Sequence, residues 1–340
     1  MKISVVLCTY NGTRFLEKQL DSLKNQTVPL DEVIVCDDRS TDGTPDMIRE
    51  YVKKHALTGW QIHVNEVNKG YKRNFHDAVA MATGDWIVFA DQDDIWHADK
   101  LERMLHVAAQ HPDAQAIGGS FDLIDGFDRP IPHDNPPGQA NHGMIHWELM
   151  PGEVYHFRQE DRNTVSLMGG NIALGCTLII SRRLADIYVR ASEMQIPHDW
   201  EAVLWAYFMD GLYFMNEPVI LYRLHGKNTI GLPIGSQSDP DKAPQAPQKP
   251  VRRVPSLEGR IDVMQHYEAS MRCTEGILKE LKLPPLPARF GRYGRVRMQM
   301  LRERSLLKYL LMLRDWPVYR DMFTFRQRVG DLMVLMRRKG

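Results

Sequence analysis

The first 96 residues alternate short apolar runs with amphipathic stretches, and each apolar run ends in a cluster of polar side chains. Strands are predicted over Ile3 to Cys8, Glu32 to Cys36, Gln61 to Val67 and Ile87 to Ala90, and the first and the last have the apolar composition of buried strands. The stretches between them place apolar side chains at helical spacing. Strand–helix alternation of this kind predicts an α/β fold with a doubly wound, mostly parallel, Rossmann-like sheet.

The chain is less regular after Pro112. Three further strands are predicted, over Ala116 to Ile124, Gly175 to Ile180 and Gly211 to Leu224. Residues 126–162 are rich in proline, glycine, histidine and charge, which predicts a long surface excursion with little regular structure. We therefore expect the second half of the domain to be built around an irregular insertion.

Composition divides the chain into three predicted regions. Residues 1–231 form the α/β domain, and the proline-rich stretch 232–256 is a linker or a mobile lid. Residues 257–340 form a basic helical C-terminal region, in which 18 Lys and Arg face 9 Asp and Glu. Because the formal net charge of the whole chain is zero, the preceding residues carry an equal acidic surplus.

The C-terminal region has two interpretations. Its apolar face, which includes Val296, Met300, Leu306, Leu307, Leu310, Leu311 and Leu313, lies among arginines. Such a face packs on the rest of the protein in a helical subdomain, which is the interpretation we favour. The alternative is a basic amphipathic surface on an anionic membrane leaflet. Nucleic acid is disfavoured, because no aromatic side chains interleave with a strand platform.

The four cysteines, at positions 8, 36, 176 and 273, lie far apart and form no CxxC or Cys/His ligand spacing. Neither a zinc site nor a disulfide framework is predicted. There is no 18-residue apolar span, and the N-terminal apolar run is too short for a signal peptide. We therefore expect a cytoplasmic protein, with peripheral contact to the inner face of the plasma membrane as the alternative.

The polar clusters follow the predicted parallel strands, and the carboxyl ends of such strands meet at one edge of the sheet, where ligands bind. The pattern indicates a nucleotide site. It contains neither GxGxxG nor GxxxxGK[ST], so no glycine-rich loop is available to cradle phosphates. A carboxylate-rich nucleotide site without such a loop suggests that a bound metal ion holds the pyrophosphate instead.

The acidic stretch after the fourth strand is the candidate metal site. Asp91, Asp93 and Asp94 place three carboxylates within four residues, where they repel one another. A divalent cation such as Mn²⁺ or Mg²⁺ relieves that repulsion, because hard cations prefer carboxylate oxygens. The alternative is an acidic turn that caps the next helix.

Four ordered motifs, VVLCTYNG, VIVCDDRSTDGT, NKGYKRNF and TGDWIVFADQDDIW, resemble the family-2 glycosyltransferases with the GT-A fold. The resemblance covers residues 1–230 approximately. It implies a nucleotide-diphosphate sugar as donor, bound through Thr9, Tyr10, Asn11, Asp37, Asp38, Arg73 and Asp91. It also implies that Asp93 is a metal ligand in a DxD element, and that His225 completes the metal shell.

The resemblance extends to the catalytic base. Asp199 matches the position of the family's base, and its alternative role is to cap the helix that begins there. Further substrate contacts are implied at Asp94, Trp96, Gly170, Asn171, His198, Trp200 and Arg223.

The implied reaction is inverting transfer of a sugar to a glycan or lipid-linked glycan in bacterial cell-surface polysaccharide synthesis. The tripeptide His198-Asp199-Trp200 resembles that of rhamnosyltransferases, so dTDP-L-rhamnose is the expected donor of an L-rhamnose group. A UDP-hexose or UDP-N-acetylhexosamine is the alternative donor. Two other classes remain open, a nucleotidyltransferase and a non-catalytic scaffold of a membrane complex.

Overall fold

The predicted linker at 232–256 lies outside the residues that the computed structural model describes, which are 1–225, 257–315 and the positions 319, 329 and 331–333. Within these residues a single nine-stranded sheet carries helices on both faces. The strands are β1 (Ile3–Thr9), β2 (Glu32–Asp37), β3 (Trp60–Val64), β4 (Trp86–Asp91), β5 (Ile95–Trp96), β6 (Ala116–Asp125), β7 (Val154–His156), β8 (Leu178–Ser181) and β9 (Leu212–Leu224).

Ten α-helices connect or flank these strands in the described residues. They are α1 (Thr13–Lys24), α2 (Thr44–Lys54), α3 (Tyr71–Met81), α4 (Lys100–Gln110), α5 (Asp161–Gly169), α6 (Arg182–Ala191), α7 (His198–Phe208), α8 (Leu257–Glu280), α9 (Ala288–Glu303) and α10 (Leu306–Met312). The strand order is β3-β2-β1-β4-β8-β6-β9-β5, and β7 pairs with the far side of β9. The predicted α/β fold is confirmed.

The first four strands form the parallel half of the sheet. In their register Thr9 lies opposite Asp37, and Cys8 lies opposite Asp91. The polar residues that end β1, β2 and β4 therefore share one edge, as the sequence pattern predicts.

The second half of the sheet is mixed. β8 runs antiparallel to both β4 and β6, and β5 and β7 run antiparallel to β9, whereas β6 and β9 are parallel. Because β8 is antiparallel to β4, the residues before β8 meet the carboxyl end of β4. The 3₁₀ turn Gly175–Thr177 is thereby placed beside the acidic stretch.

Neighbouring side chains on each strand enter opposite cores, as the two-residue period of a strand requires. Val6 on β1 packs with Phe75 and Val79 of α3, whereas Val5 packs with Leu16 and Leu20 of α1. The fully buried strands explain the uninterrupted apolar runs in the sequence.

The segment 126–162 differs from its prediction as a surface excursion. Ile145, Trp147, Leu149 and Phe157 are buried in the same core as α3, α6 and α7. The segment also contains β7, which pairs with β9. Ile145, Trp147 and Leu149 alternate with polar residues, a short pattern that the abundance of proline, glycine and charge in the segment obscures, and their side chains fill the core.

Three helices, α8 to α10, lie in the described part of the C-terminal region. α9 begins at Ala288 and ends where Arg304 adopts a left-handed conformation with φ of 51°. α8 packs on the α/β body: Cys273, Ile277 and Leu278 join its core, and Ser270 Oγ donates to the carbonyl oxygen of Met168 at 2.7 Å. No helix in the described part of the chain is long and apolar enough to cross a membrane.

Candidate active site

The carboxylate of Asp37 organises the loop that follows β2. It is fully buried and accepts hydrogen bonds from Thr9 Oγ1 at 2.7 Å, from the Ser40 amide at 2.8 Å and from Ser40 Oγ at 2.6 Å. These donors belong to the protein itself. Thr9 and Asp37 therefore join the ends of β1 and β2, and they shape the edge of the sheet on which we expected a nucleotide.

Asp38 performs a similar task for the loop between β3 and α3. Its carboxylate is buried and accepts the amides of Lys69 at 2.7 Å and Gly70 at 2.8 Å, and Asn65 Nδ2 at 3.0 Å. Gly70 has φ of 79°, a left-handed conformation that favours glycine at the start of α3.

Tyr10 and Asn11, in contrast, are exposed at the end of β1. The Tyr10 amide donates to Gln92 Oε1 at 2.8 Å, and Gln92 Nε2 donates back to the Tyr10 carbonyl at 3.0 Å. A Cβ atom on Gly12 would lie 2.2 Å from Gln92 Oε1, so a larger residue there would displace the Gln92 side chain. Gln92, which the sequence analysis did not select, thus ties this loop to the acidic stretch.

Arg73 lies on the first turns of α3 and is exposed. Its Nε donates to Asp77 Oδ1 at 2.7 Å, one helical turn along. A surface pair at this spacing contributes about 0.3–0.5 kcal/mol, so a ligand phosphate or ribose would displace it at little cost.

Asp93 pairs with His225 at the end of β9. Its Oδ2 accepts a hydrogen bond from His225 Nε2 at 2.7 Å, and the imidazole lies 4.9 Å from the Phe15 ring, centroid to centroid. These are the two predicted metal ligands, and the fold brings them together across 132 residues.

Arg223 and Asp94 fix the acidic stretch through hydrogen bonds to its backbone and to the end of β9. Asp94 Oδ1 accepts the Arg223 amide at 3.0 Å, and Arg223 Nε donates to the Asp93 carbonyl at 2.7 Å. Both side chains are fully buried, and the guanidinium carbon lies 4.5 Å from the Phe15 ring centroid. Asp94 and Arg223 therefore fix the loop that carries Asp93, and their predicted contact with substrate stays a prediction.

Trp96 and Trp200, which are also predicted to contact substrate, are both buried, and that contact stays a prediction. Trp96 is buried in the core beside α4. Trp200 is buried in the opposite core, where its Nε1 donates to the Leu167 carbonyl at 2.6 Å. Aromatic residues next to acidic motifs resemble sugar platforms in a sequence, but here their apolar area fills the interior.

Lys100, at the start of α4, lies fully buried between these elements. Its Nζ donates to the Cys176 carbonyl at 2.6 Å and lies 3.4 Å from the Trp96 ring centroid. Burial lowers the pKa of Lys100 to about 7, while the nearby Asp94 and Asp91 oppose that shift. The burial of Lys100 is not predicted from the sequence, because a lysine at the start of a helix is normally exposed to solvent.

The carboxylate of Asp199 is held by backbone amides at the start of α7. Its Oδ2 accepts the Gly175 amide at 3.0 Å, and its Oδ1 accepts the Trp200 amide at 2.8 Å. The N-cap of α7 is Pro197, and Asp199 lies in the first turn, where its carboxylate accepts one of the turn's amides. The alternative role at the start of the helix therefore stays open beside the predicted role as the base.

His198 stands beside Asp199 and is buried. Its ring stacks on Phe75 at 3.9 Å, and neither ring nitrogen has a hydrogen-bond partner among the residues that the structure describes. Burial lowers the pKa of His198, which favours the neutral imidazole. A neutral ring offers one donor and one acceptor to a polar ligand.

Gly170 and Asn171 follow α5 and are partly exposed. Asn171 Oδ1 accepts the Ala173 amide at 3.3 Å, which stabilises the turn into the Gly175–Thr177 segment. Their predicted contact with substrate remains a prediction.

The electrostatic surroundings of Asp91 indicate that the acidic stretch and Asp199 lie in one site. Burial, followed by the negative charges of Asp93 and Asp199, raises the pKa of Asp91 to about 7. Burial and Asp199 also raise the pKa of Tyr71, to about 12. Asp91, Asp93, His225 and Asp199 therefore converge at the carboxyl edge of the sheet, although they come from three separate parts of the chain.

The donor set fits a divalent cation at Asp93 and His225. Asp93 and Asp199 add negative charge around the buried Asp91, and a cation would offset that charge. A second cluster, Asp91, Asp94 and Cys176, has ligand atoms within 4.8 Å of one another. Lys100 lies against that cluster through the Cys176 carbonyl, whereas Asp93 and His225 are more accessible.

Comparison with known proteins identifies relatives of this fold. The family model described as Glycosyl transferase family 2 matches residues 4–180, just over half of the chain. An uncharacterized glycosyltransferase from Nostoc sp. is 33% identical over 138 residues, which is 41% of this chain and 42% of that protein. The poly(ribitol-phosphate) beta-glucosyltransferase of Bacillus spizizenii is 36% identical over 121 residues, 35% of this chain and 19% of the relative. The matches thus span less than half of either relative's length.

Two solved structures share the GT-A fold. S. aureus TarS 1–349 in complex with UDP-GlcNAc superposes with a TM-score of 0.52 at 16% identity, over 98% of this chain and 91% of that one. The mannosyltransferase PcManGT from Pyrobaculum calidifontis, in complex with GDP-Man and Mn²⁺, superposes with a TM-score of 0.50 at 16% identity, over 98% and 86%. The GT-A fold expected from the four motifs is confirmed.

The carboxyl group of Glu201 makes the free energy of unfolding depend on pH. It lies two residues after Asp199, is 2% exposed, and its Oε2 has no hydrogen-bond partner within the described residues. Burial raises the pKa of Glu201 to about 7 from an ordinary value of 4.5. Between these pH values the folded state holds a proton that the unfolded state has released, so the free energy of unfolding falls as pH rises.

We expect Glu201→Gln to remove this dependence and to stabilise the protein at pH 8, by up to about 3 kcal/mol. Denaturant unfolding at pH 5 and pH 8 measures the difference. Glu50→Gln, at an exposed position on α2, is the matched control and should leave the wild-type slope unchanged. An equal slope in wild type and Glu201→Gln would show that Glu201 stays ionised.

Proposed function

The chain belongs to glycosyl transferase family 2, and on that premise we propose that it transfers a sugar, with inversion, from a nucleoside diphosphate sugar to a hydroxyl of a glycan acceptor. The observation that carries this proposal is the convergence of Asp199 with the acidic stretch: the Gly175 amide binds Asp199, and the sulfur of the next residue, Cys176, lies within 4.8 Å of carboxylate oxygens of Asp91 and Asp94. A base beside a carboxylate-rich diphosphate site is what glycosyl transfer to a hydroxyl requires.

Asp199 is the proposed general base. The Gly175 and Trp200 amides fix its carboxylate, so that it can take the proton of the acceptor hydroxyl as that oxygen attacks the anomeric carbon. The neutral imidazole of His198 is the proposed contact that orients the acceptor or the donor sugar. Gly170 and Asn171 are proposed to line the same region.

The nucleotide is proposed to lie over the ends of β1 and β2. Tyr10 and Asn11 present exposed side chains there, and Arg73 is proposed to exchange Asp77 for the ligand. Thr9, Asp37 and Asp38 act mainly by holding the two loops, and Asp91 is proposed to meet the ribose or the sugar. A divalent cation on Asp93 and His225 would offset the charge that develops on the leaving diphosphate.

The donor is proposed as dTDP-L-rhamnose, on the likeness of His198-Asp199-Trp200 to rhamnosyltransferases. A UDP-hexose or UDP-N-acetylhexosamine is the second candidate, since one relative is named a glucosyltransferase and one structural neighbour holds UDP-GlcNAc. The relative's name also supports a bacterial cell-surface polymer as acceptor, and a cytoplasmic site of action is part of the same proposal.

Thermal unfolding with a nucleotide panel tests this function. We expect dTDP or UDP with Mn²⁺ to raise the Tm, because ligands that bind only the folded state stabilise it by mass action. The preferred nucleotide separates the rhamnose donor from the UDP-sugar donors. Stabilisation by nucleoside triphosphates alone would instead favour a nucleotidyltransferase, and no response to any nucleotide would favour a scaffold.

The same assay with Asp93→Ala isolates the metal site. The nucleotide-induced shift should lose its dependence on Mn²⁺, while the Tm without ligand changes little because Asp93 is partly exposed. An unaltered Mn²⁺ response would move the cation to another set of residues. Asp46→Asn, on the exposed face of α2, serves as the control for loss of one carboxylate.

Asp199→Asn should fold and bind the donor nucleotide, yet lose sugar transfer by about 10²–10⁴-fold, the usual contribution of a general base. The amide keeps an oxygen for the Gly175 amide but cannot take a proton. Single-turnover transfer and nucleotide-induced Tm shift, measured on one preparation, separate chemistry from binding. Transfer at the wild-type rate would remove Asp199 from the mechanism.

Gly175→Ala should slow transfer at least about tenfold without preventing nucleotide binding. The new Cβ would lie 2.7 Å from His198 Nε2, so the His198 ring has to move, and it would touch Asp199 Cβ at 3.4 Å, an ordinary contact distance. Gly276→Ala on α8, where a Cβ meets nothing within 4 Å, is the matched control. If both variants transfer sugar equally well, the Gly175 turn does not position the base.

A further inference from the structure

The short helix α10 presents an apolar face to solvent. Leu306, Leu307, Leu310 and Leu311 are 58%, 68%, 55% and 43% exposed. At 100° per residue these four positions form one continuous stripe along the helix. Met312, on the other side, is fully buried in the core of the C-terminal helices.

The polar groups of this helix are directed the other way. Lys308 Nζ donates to Gln299 Oε1 and Glu303 Oε1 of α9, both at 2.9 Å. A helix on the surface of a water-soluble protein normally reverses this arrangement, with charge outward and leucine inward. Four exposed leucines side by side on one helix face therefore indicate a surface that binds a partner.

Charge indicates what that partner is. Arg302 precedes the leucines in the chain and Arg314 follows them, and both side chains are exposed. The region 257–340 carries the basic surplus of a chain whose remainder is acidic. A second copy of the same face would bring like charges together. An anionic lipid surface, in contrast, accepts both the leucines and the arginines.

We propose that the leucine face of α10 lies in the headgroup region of an anionic phospholipid bilayer and attaches the protein peripherally. The leucines enter the acyl boundary, and Arg302 and Arg314 stay at the level of the lipid phosphates. α8 packs on the α/β body through Cys273 and Ile277, so attachment through α10 leaves that packing intact. The attachment does not depend on the proposed enzymatic function.

Vesicle co-sedimentation of the full chain tests the proposal. We expect binding to phosphatidylglycerol vesicles, weaker binding to phosphatidylcholine vesicles, and loss of binding at high salt. Leu307→Ser with Leu310→Ser should reduce the bound fraction at least about tenfold, because the apolar contribution is removed. Arg302→Gln with Arg314→Gln should reduce the preference for phosphatidylglycerol while leaving the leucines in place.

The control is the double variant Met150→Ser with Val64→Ser, which removes exposed apolar side chains, 68% and 43% exposed, from the α/β body. It should bind vesicles as the wild type does, and so should Asp199→Asn. Equal binding by the leucine variant and the wild type would overturn the proposal. So would light scattering that shows a wild-type dimer that the leucine variant lacks, together with absent vesicle binding, because a second copy would then cover this face.

Discussion

The site depends on how the protein tolerates several carboxylates in one small volume. Burial, followed by the negative charges of Asp93 and Asp199, raises the pKa of Asp91 to about 7, and Asp94 is buried in the same acidic stretch. The amine of Lys100 is buried among these groups and offsets their charge when it is protonated, although burial lowers its pKa to about 7. Such an arrangement is costly without counter-charges, because removing ions from water costs several kcal/mol each. The cation proposed at Asp93 and His225 would offset the remaining charge from the accessible side.

The same lysine connects the two halves of the proposed mechanism. Its Nζ holds the Cys176 carbonyl, and the neighbouring Gly175 amide holds the carboxylate of Asp199. The acidic stretch and the base are therefore joined by a short path through one 3₁₀ turn. The antiparallel insertion of β8 between β4 and β6 makes this possible, because it places the start of β8 at the carboxyl end of β4.

The sequence predicts those parts of the site that local chemistry determines. Apolar runs ending in polar residues predict β1, β2 and β4 and the edge at which they meet, and the family motifs imply Asp93 with His225. Gln92 and Gly175 escape prediction, because their roles depend on contacts with Tyr10 and Asp199, far away in the chain. The burial of Trp96 and Trp200 also escapes prediction. A position beside an acidic motif suggests contact with a ligand, but the side chains that pack on each ring decide its burial.

The C-terminal region shows that the two interpretations of one amphipathic pattern need not exclude each other. The sequence offers packing on the enzyme or contact with a membrane as alternatives for the whole region. In the structure α8 satisfies the first through Ser270 and Cys273, whereas α10 turns its leucines away from the same body. The break at Arg304, with φ of 51°, separates the two, since it ends α9 and reorients the chain. One short turn thus allows a single basic region to be anchored on one side and to present an apolar surface on the other.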